Sequence, residues 1–149
     1  MTQTMEKVKD MADKLKKIFP ADSLPMNGVG KYNKPLLTLC VRGSSGAILA
    51  GLITPFLSDY EVSINYVKKF NEKTHGSGSV KMFLPDGYPW IIIDDFIETG
   101  ETVNNIFSAM QVSRPDAKVD CLIVSGEVHQ NKLTFVPDNI IAGNYFRTI

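Results

Sequence analysis

The sequence predicts an α/β domain on a doubly wound, mostly parallel sheet of about five strands, flanked by helices. Three observations predict it. Two near-continuous apolar runs, 36–41 and 90–93, are too short for helices and read as strands buried on both faces. Each leads into a polar, glycine-bearing turn and then into helical apolar spacing. The length of 149 residues, 44% of them hydrophobic, suits a single core better than two.

Residues 2–19 have the spacing of an amphipathic helix, with Met5, Val8, Ala12, Leu15 and Phe19 at steps of three and four. Lys7, Lys9, Lys14 and Lys16 fall mostly on the other face, which reads as solvated, and Pro20 stops the helix. Residues 21–35, with Pro25, Asn27, Gly28, Gly30, Asn33 and Pro35, read as a loop or short hairpin. After strand 36–41, Arg42-Gly43-Ser44-Ser45-Gly46 reads as a loop. A helix follows over 47–57, with Ile48, Leu49, Leu52, Ile53 and Phe56 as its apolar positions. Residues 60–67 alternate Tyr60, Val62, Ile64 and Tyr66, as a strand does. Residues 68–79 read as a mobile polar loop and 80–84 as a short strand, with a turn at Pro85-Asp86-Gly87. Strand 90–93 ends in the loop 94–102. A helix then runs to about Val112, with Val103, Ile106, Phe107 and Met110 on one face. Residues 117–124 form another strand, and 140–145 a final one. The whole chain, 1–149, is one domain: 36–126 is its core, and 1–35 and 127–149 supply the N-terminal helix and a tail.

Sixteen basic and sixteen acidic side chains balance to zero, which argues against nucleic-acid binding by bulk charge. No apolar run approaches the ~20 residues that span a bilayer. The N-terminal stretch mixes Glu6, Asp10 and Asp13 with its lysines and has neither a signal-peptide core nor an Arg, so a cytoplasmic location is expected. The two cysteines, Cys40 and Cys121, sit inside apolar runs and read as inert core thiols of a reducing compartment. With strand 90–93 between theirs, they lie ~9–10 Å apart, too far for a disulfide. His75 and His129 stand alone, so no transition-metal site is legible.

The chemistry concentrates in Ile91-Ile92-Ile93-Asp94-Asp95-Phe96-Ile97-Glu98-Thr99-Gly100-Glu101-Thr102. A buried strand ends in two adjacent carboxylates, and a short loop opens a helix. A helix N-terminus offers unpaired N–H groups and a positive dipole end to a phosphate. Gly100 lets the backbone close round the anion, and Thr99 and Thr102 add hydroxyl donors. Asp94 and Asp95 would repel a bare anion but suit a ligand that also brings hydroxyls or a cation. A sugar phosphate brings both. The bland alternative is an ordinary strand-to-helix turn with a Thr cap. The nucleoside-triphosphate loop GxxxxGK[ST] is absent.

This stretch closely resembles the phosphoribosyl pyrophosphate (PRPP) motif of type I phosphoribosyltransferases: four hydrophobic residues, two acidic, three variable, then Thr-Gly-x-Thr. Five such letters coincide by chance about once in several million positions. The resemblance implies that Asp94 and Asp95 hold the ribose hydroxyls, directly or through Mg²⁺ and water, and that Phe96, Ile97, Glu98, Thr99, Gly100, Glu101 and Thr102 cradle the 5′-phosphate. Val41, Arg42, Gly43, Ser44 and Ser45 are similar to the family's pyrophosphate loop, which often holds a cis non-proline peptide, here Val41–Arg42. Lys68-Lys69 followed by His75-Gly76 looks like the Arg-Lys…His-Gly pattern of the orotate branch, with one extra residue between the pairs. That implies a catalytic loop in which Lys68, Lys69 or Lys73 neutralises departing pyrophosphate. Glu98 stands where the 6-oxopurine salvage branch commonly has an Asp that acts on a base proton. That branch also places a Lys after the next strand, where this chain has Ser125-Gly126. Residues 15–35 and 127–149 are left for the hood, with Phe135, Val136, Tyr145 or Phe146 as stacking surfaces.

The resemblance covers roughly 36–126. It implies an enzyme that moves 5-phosphoribosyl from PRPP to a purine or pyrimidine base in nucleotide salvage, with Mg²⁺, release of pyrophosphate, and a homodimer. The alternative is a non-catalytic sensor of PRPP or nucleotide on the same fold, since fold does not fix function.

Overall fold

The computed structural model describes residues 5–26, 33–68, 81–94, 100–143 and 146–148. Three helices are seen, α1 (Met5–Ile18), α2 (Gly43–Ile53) and α3 (Glu101–Ser113). The strands are β1 (Leu36–Val41), β2 (Glu61–Tyr66), β3 (Trp90–Asp94), β4 (Cys121–Val124), β5 (Asn139–Ala142) and β6 (Phe146–Thr148). They form one sheet in the order β2-β1-β3-β4-β5-β6. The first five strands are parallel, and β6 adds an antiparallel edge. The predicted doubly wound sheet of five parallel strands is therefore present.

Parallel pairing buries both faces, and the burial follows strand parity. Leu37, Leu39, Val41, Ile91, Ile93, Cys121 and Ile123 pack under α1 and α2. Cys40, Ile92, Leu122, Val124 and Ile140 pack under α3 through Val103, Ile106 and Met110. Cys40 and Cys121 thus lie on opposite faces of the sheet, a second reason why both are free thiols.

α1 buries Val8, Met11, Ala12 and Leu15. Met11 lies three residues after Val8 and four before Leu15, within the same stripe, whereas Met5 in the first turn is 53% exposed and was misassigned to the face. Lys9, Lys14 and Lys16 pair with Asp13, Asp10 and Asp13 on the outer face, as a solvated surface requires. The Tyr60 hydroxyl donates to the Phe19 carbonyl at 2.6 Å and ties the end of α1 to the start of β2.

Several boundaries differ from the expectation: β4 begins at Cys121 and not at 117, because Ala117 turns back to donate to the Arg114 carbonyl, and β5 is Asn139–Ala142 and not 140–145. α2 begins at Gly43, so the Gly/Ser stretch is its first turn and not a loop. Its buried positions are Gly43, Gly46, Leu49, Ala50 and Ile53, and Ile48 faces out. Residues 81–84 are not a strand, because side chains take their backbone groups. Asn65 accepts from Phe83 N–H at 3.0 Å and donates to its carbonyl at 2.9 Å, and Ser113 Oγ accepts from Met82 N–H. β2 is an edge strand, so Ile64 and Tyr66 stay nearly half exposed despite their alternation.

At the amino ends of the strands, Asp120 accepts from Trp90 N–H at 2.8 Å, and the indole N–H donates to the Pro85 carbonyl. Arg114 and Lys118 each lie 5.3 Å from the Trp90 ring centroid. Among the described residues no helix is long and apolar enough to cross a membrane.

Burial pushes the Cys40 thiol up to about 12 and raises that of Cys121 as well. A thiol reagent at pH 8 is expected to label neither in the native protein and both after denaturation, counted by absorbance. Burial, and then Asp59 and Asp22, raise Tyr60 from 10.0 to about 12. The folded chain therefore holds this proton more tightly than the unfolded one, and the stability it lends is complete below pH 10 and lost as pH rises through 12. Tyr60→Phe is expected to cost about 1 kcal/mol at pH 7, with the gap to wild type closing above pH 10 in urea titrations.

Candidate functional site

The site lies at the carboxyl ends of β1 and β3, the point where the winding of the sheet reverses. β1 leads to β2 on one side, while β3, β4 and β5 continue on the other. In open α/β sheets a reversal of this kind is where ligands bind.

On the β1 side, Arg42 is extended (φ −144°, ψ 124°) and Gly43 turns the chain at φ +85°. No cis peptide occurs among the described residues, so Val41–Arg42 is trans, contrary to the expectation. The reversal is made instead by a left-handed glycine, which needs no Cβ to be accommodated. Ser44 and Ser45 are exposed in the first turn of α2, and Val41 is buried. The Arg42 Nε is buried and has no hydrogen-bond partner among the described residues.

On the β3 side, Asp94 ends the strand at only 5% exposure. α2 reaches it closely: a Cβ on Gly46 would stand 3.0 Å from the Ile93 carbonyl oxygen and 3.8 Å from Asp94 Oδ1. The unpaired N–H groups of α2 thus open beside this carboxylate. α3 starts at Glu101, and Gly100 before it is left-handed at φ +80° and brings no capping side chain of its own, so the positive dipole end of α3 opens at this edge. Thr102 is half-buried and Glu101 exposed in that turn. Both positive dipole ends thus lie along one edge, on opposite faces of the sheet.

Beyond β3 the floor is backbone. Ser125 N–H donates to the Asp94 carbonyl at 3.4 Å, and Gly143 N–H donates to the Gly126 carbonyl at 3.3 Å. A Cβ on Gly143 would come within 2.0 Å of the Ser125 oxygen, so only glycine fits. This close approach, like the Asn104 contacts treated below, was not legible in the sequence. Lys68 is exposed two residues past β2, at the same edge.

The structure thus brings together Val41, Arg42, Gly43, Ser44, Ser45, Asp94, Gly100, Glu101, Thr102 and Lys68. Asp95, Phe96, Ile97, Glu98, Thr99, Lys69, Lys73, His75 and Tyr145 lie outside the described residues. Phe135 is corrected: it is buried and stacks on Phe107 (centroids 4.9 Å, planes 29°), so it is core and not a platform for a ligand. Leu15 is likewise core, and Ile18, Phe19 and Leu24 pack against it. Among the described residues no three potential ligands gather for a metal. Asp94 is one carboxylate suited to a Mg²⁺ that also takes phosphate oxygens.

Solved structures share this architecture. The chain matches a hypoxanthine phosphoribosyltransferase from Trypanosoma cruzi in complex with the product IMP at TM-score 0.58 and 15% identity, over 93% of this chain and 70% of that one. It matches a purine phosphoribosyltransferase from Pyrococcus horikoshii at 0.51 and 17%, over 95% and 84%. A hypoxanthine phosphoribosyltransferase from Staphylococcus aureus gives 0.51 and 17%, over 94% and 73%. The chain has the type I phosphoribosyltransferase fold. No protein-family model matches the sequence, and no curated protein does. Identities this low establish the fold alone.

The phosphoribosyltransferase fold makes two glycines instructive. Gly143→Ala is expected to lose about 1–3 kcal/mol in chemical denaturation, because the Ser125 backbone must move. Gly51→Ala, with nothing within 4 Å of the new Cβ on an exposed helix face, is expected to gain about 0.5–1 kcal/mol in the same assay.

Proposed function

We propose that this protein transfers 5-phosphoribosyl from PRPP to a nitrogenous base and releases pyrophosphate, as a Mg²⁺-dependent pentosyltransferase of nucleotide salvage. The observation that carries the reading is a juxtaposition. The α2 and α3 N-termini open along one edge with the buried Asp94 carboxylate between them, within the sequence IIIDDFIETGET. Two anion sites flanking a carboxylate suit a ligand with phosphates at both ends and a hydroxylated sugar between them.

In this reading the 5′-phosphate takes the amides of 97–102 with Thr99 and Thr102. The pyrophosphate takes those of Gly43, Ser44 and Ser45, with Arg42, whose Nε lacks a partner among the described residues. Asp94 and Asp95 hold the ribose hydroxyls, and either would hold Mg²⁺ directly or through water. Bound with PRPP, the ion would offset phosphate charge. The C1′–O bond breaks with its electron pair leaving on pyrophosphate, and a base nitrogen lone pair forms the N–C1′ bond. The displaced base proton goes to a carboxylate, for which Glu98 is the candidate. Lys68, Lys69 or Lys73 neutralises the departing pyrophosphate, in a catalytic loop that also carries His75. Positioning and fixed charge supply most of the acceleration.

The similar solved structures include hypoxanthine and purine phosphoribosyltransferases, which favours a purine as acceptor. The homodimer and the cytoplasmic location belong to the same proposal. One observation favours the second reading, a sensor of PRPP or nucleotide without turnover. Phe135, a residue offered as a base-stacking surface, is spent on the core.

The test is pyrophosphate release from PRPP and Mg²⁺ with hypoxanthine, guanine, xanthine, adenine, uracil or orotate. Release that depends on one base is expected, and Asp94→Asn should lower kcat/KM by about 100-fold or more. PRPP binding in calorimetry without release from any base would establish the sensor. No binding at all would overturn both readings.

A further inference from the structure

Asn104 lies one helical turn past Gly100, on the side of α3 that meets residues 130–135, which connect β4 to β5. Its amide bonds in both senses. Nδ2 donates to the Lys132 carbonyl at 2.9 Å, while Oδ1 accepts from Thr134 N–H at 2.9 Å and from the Thr134 hydroxyl at 3.2 Å. One primary amide thereby imitates a neighbouring strand, donating to one residue and accepting from the residue two further on. Carboxylates and hydrocarbons cannot do both. Three residues along the helix, Phe107 stacks on Phe135.

The Lys132 carbonyl that Asn104 holds also limits Gly100. A Cβ there would stand 2.9 Å from the Lys132 oxygen and 3.4 Å from Asn104 Nδ2. The backbone link Asn104 N–H to Gly100 carbonyl, at 2.9 Å, closes the circuit. The left-handed N-cap of α3 is thus wedged between its own helix and the β4–β5 connection. Gly100 has no side chain with which to cap the helix, and the wedge fixes where its first turn begins.

We propose that Asn104 is a positioning residue that locks the β4–β5 connection to the first turn of α3, so that the phosphate cradle and the base-side segment behave as one body. The inference rests on the phosphoribosyltransferase reading for its kinetic consequence, but not for the lock itself. Holding the cradle in place contributes equally to substrate and transition state. Its loss therefore raises KM more than it lowers kcat.

The experiment compares wild type, Asn104→Ala and Asn104→Asp by steady-state kinetics with PRPP and by amide hydrogen exchange without ligand. Asn104→Ala is expected to raise the KM for PRPP about tenfold with kcat within about twofold. Exchange should rise together in residues 100–104 and 130–135. Asn104→Asp keeps the acceptor for Thr134 but loses the donor to Lys132, so it should fall between the two. It also keeps the side-chain shape, which makes it the decisive variant if Asn104→Ala does not fold. Unchanged exchange in both segments, or a loss of kcat alone, would overturn the proposal. A wild type that neither binds nor turns over PRPP would sink the enzymatic reading, and the exchange comparison would still decide the lock.

Discussion

β1 and β3 lie side by side although α2 and β2 separate them in the chain, and everything at the functional edge follows from that pairing. It places Thr38 to Cys40 against Trp90 to Ile92, so β1 ends at Val41 opposite Ile93, and Asp94 projects one residue further. It also lets α2 cover one face and α3 the other, because each crossover must return to its own side of the reversal. The consequence is two helix N-termini along one edge with a carboxylate between them. A sheet without a reversal would send successive loops the same way and leave no crevice.

Glycine is what lets these parts come close. Gly43 reverses the chain after β1, Gly46 sits against the end of β3, Gly100 starts α3 left-handed, and Gly143 lies on the Ser125 carbonyl. Gly46, Gly100 and Gly143 each hold a place where a Cβ would meet backbone oxygen at 3.0 Å or less. Contacts this tight bring backbone amides of different elements to one edge, and amides bind anions without long side chains to order. The opposite end of the sheet is built by other means. There Trp90, Arg114, Asp86 and Asp120 join loops through side-chain hydrogen bonds and a charge–ring contact.

The sheet, its strand order near the site and the chemistry-bearing turn were legible because they are local patterns. β1 and β3 are uninterrupted apolar runs, and α3 shows its stripe at Val103, Ile106 and Met110. What failed was decided by partners distant in sequence. Residues 81–84 have the composition of a strand, yet Asn65, some eighteen residues back, takes the backbone of Phe83. The Gly/Ser stretch after Arg42 reads as a loop by propensity but becomes helix because Gly43 and Gly46 can be buried against β3. Phe135 looks like a surface aromatic until Phe107 is found against it.

Asn104 belongs to the same class of residue, invisible to pattern because its partners, Lys132 and Thr134, are about thirty residues away. A polar residue in the second turn of a helix is ordinary in isolation, and asparagine is not a strong helix former. Its presence is explained only by the backbone it satisfies. The β4–β5 connection has a short 3-10 turn at Gln130–Lys132 and little regular structure to absorb its own polar groups. Both bonds lie at the surface, where each contributes about 0.5–1.5 kcal/mol, and one amide meets a carbonyl and an N–H together. The same device appears at Asn65 with Phe83 on the other side of the site. In both places an asparagine amide stands in for a missing strand and fastens an irregular segment to a regular element. The regular elements carry the site, so two amides decide how firmly the irregular segments are held beside it.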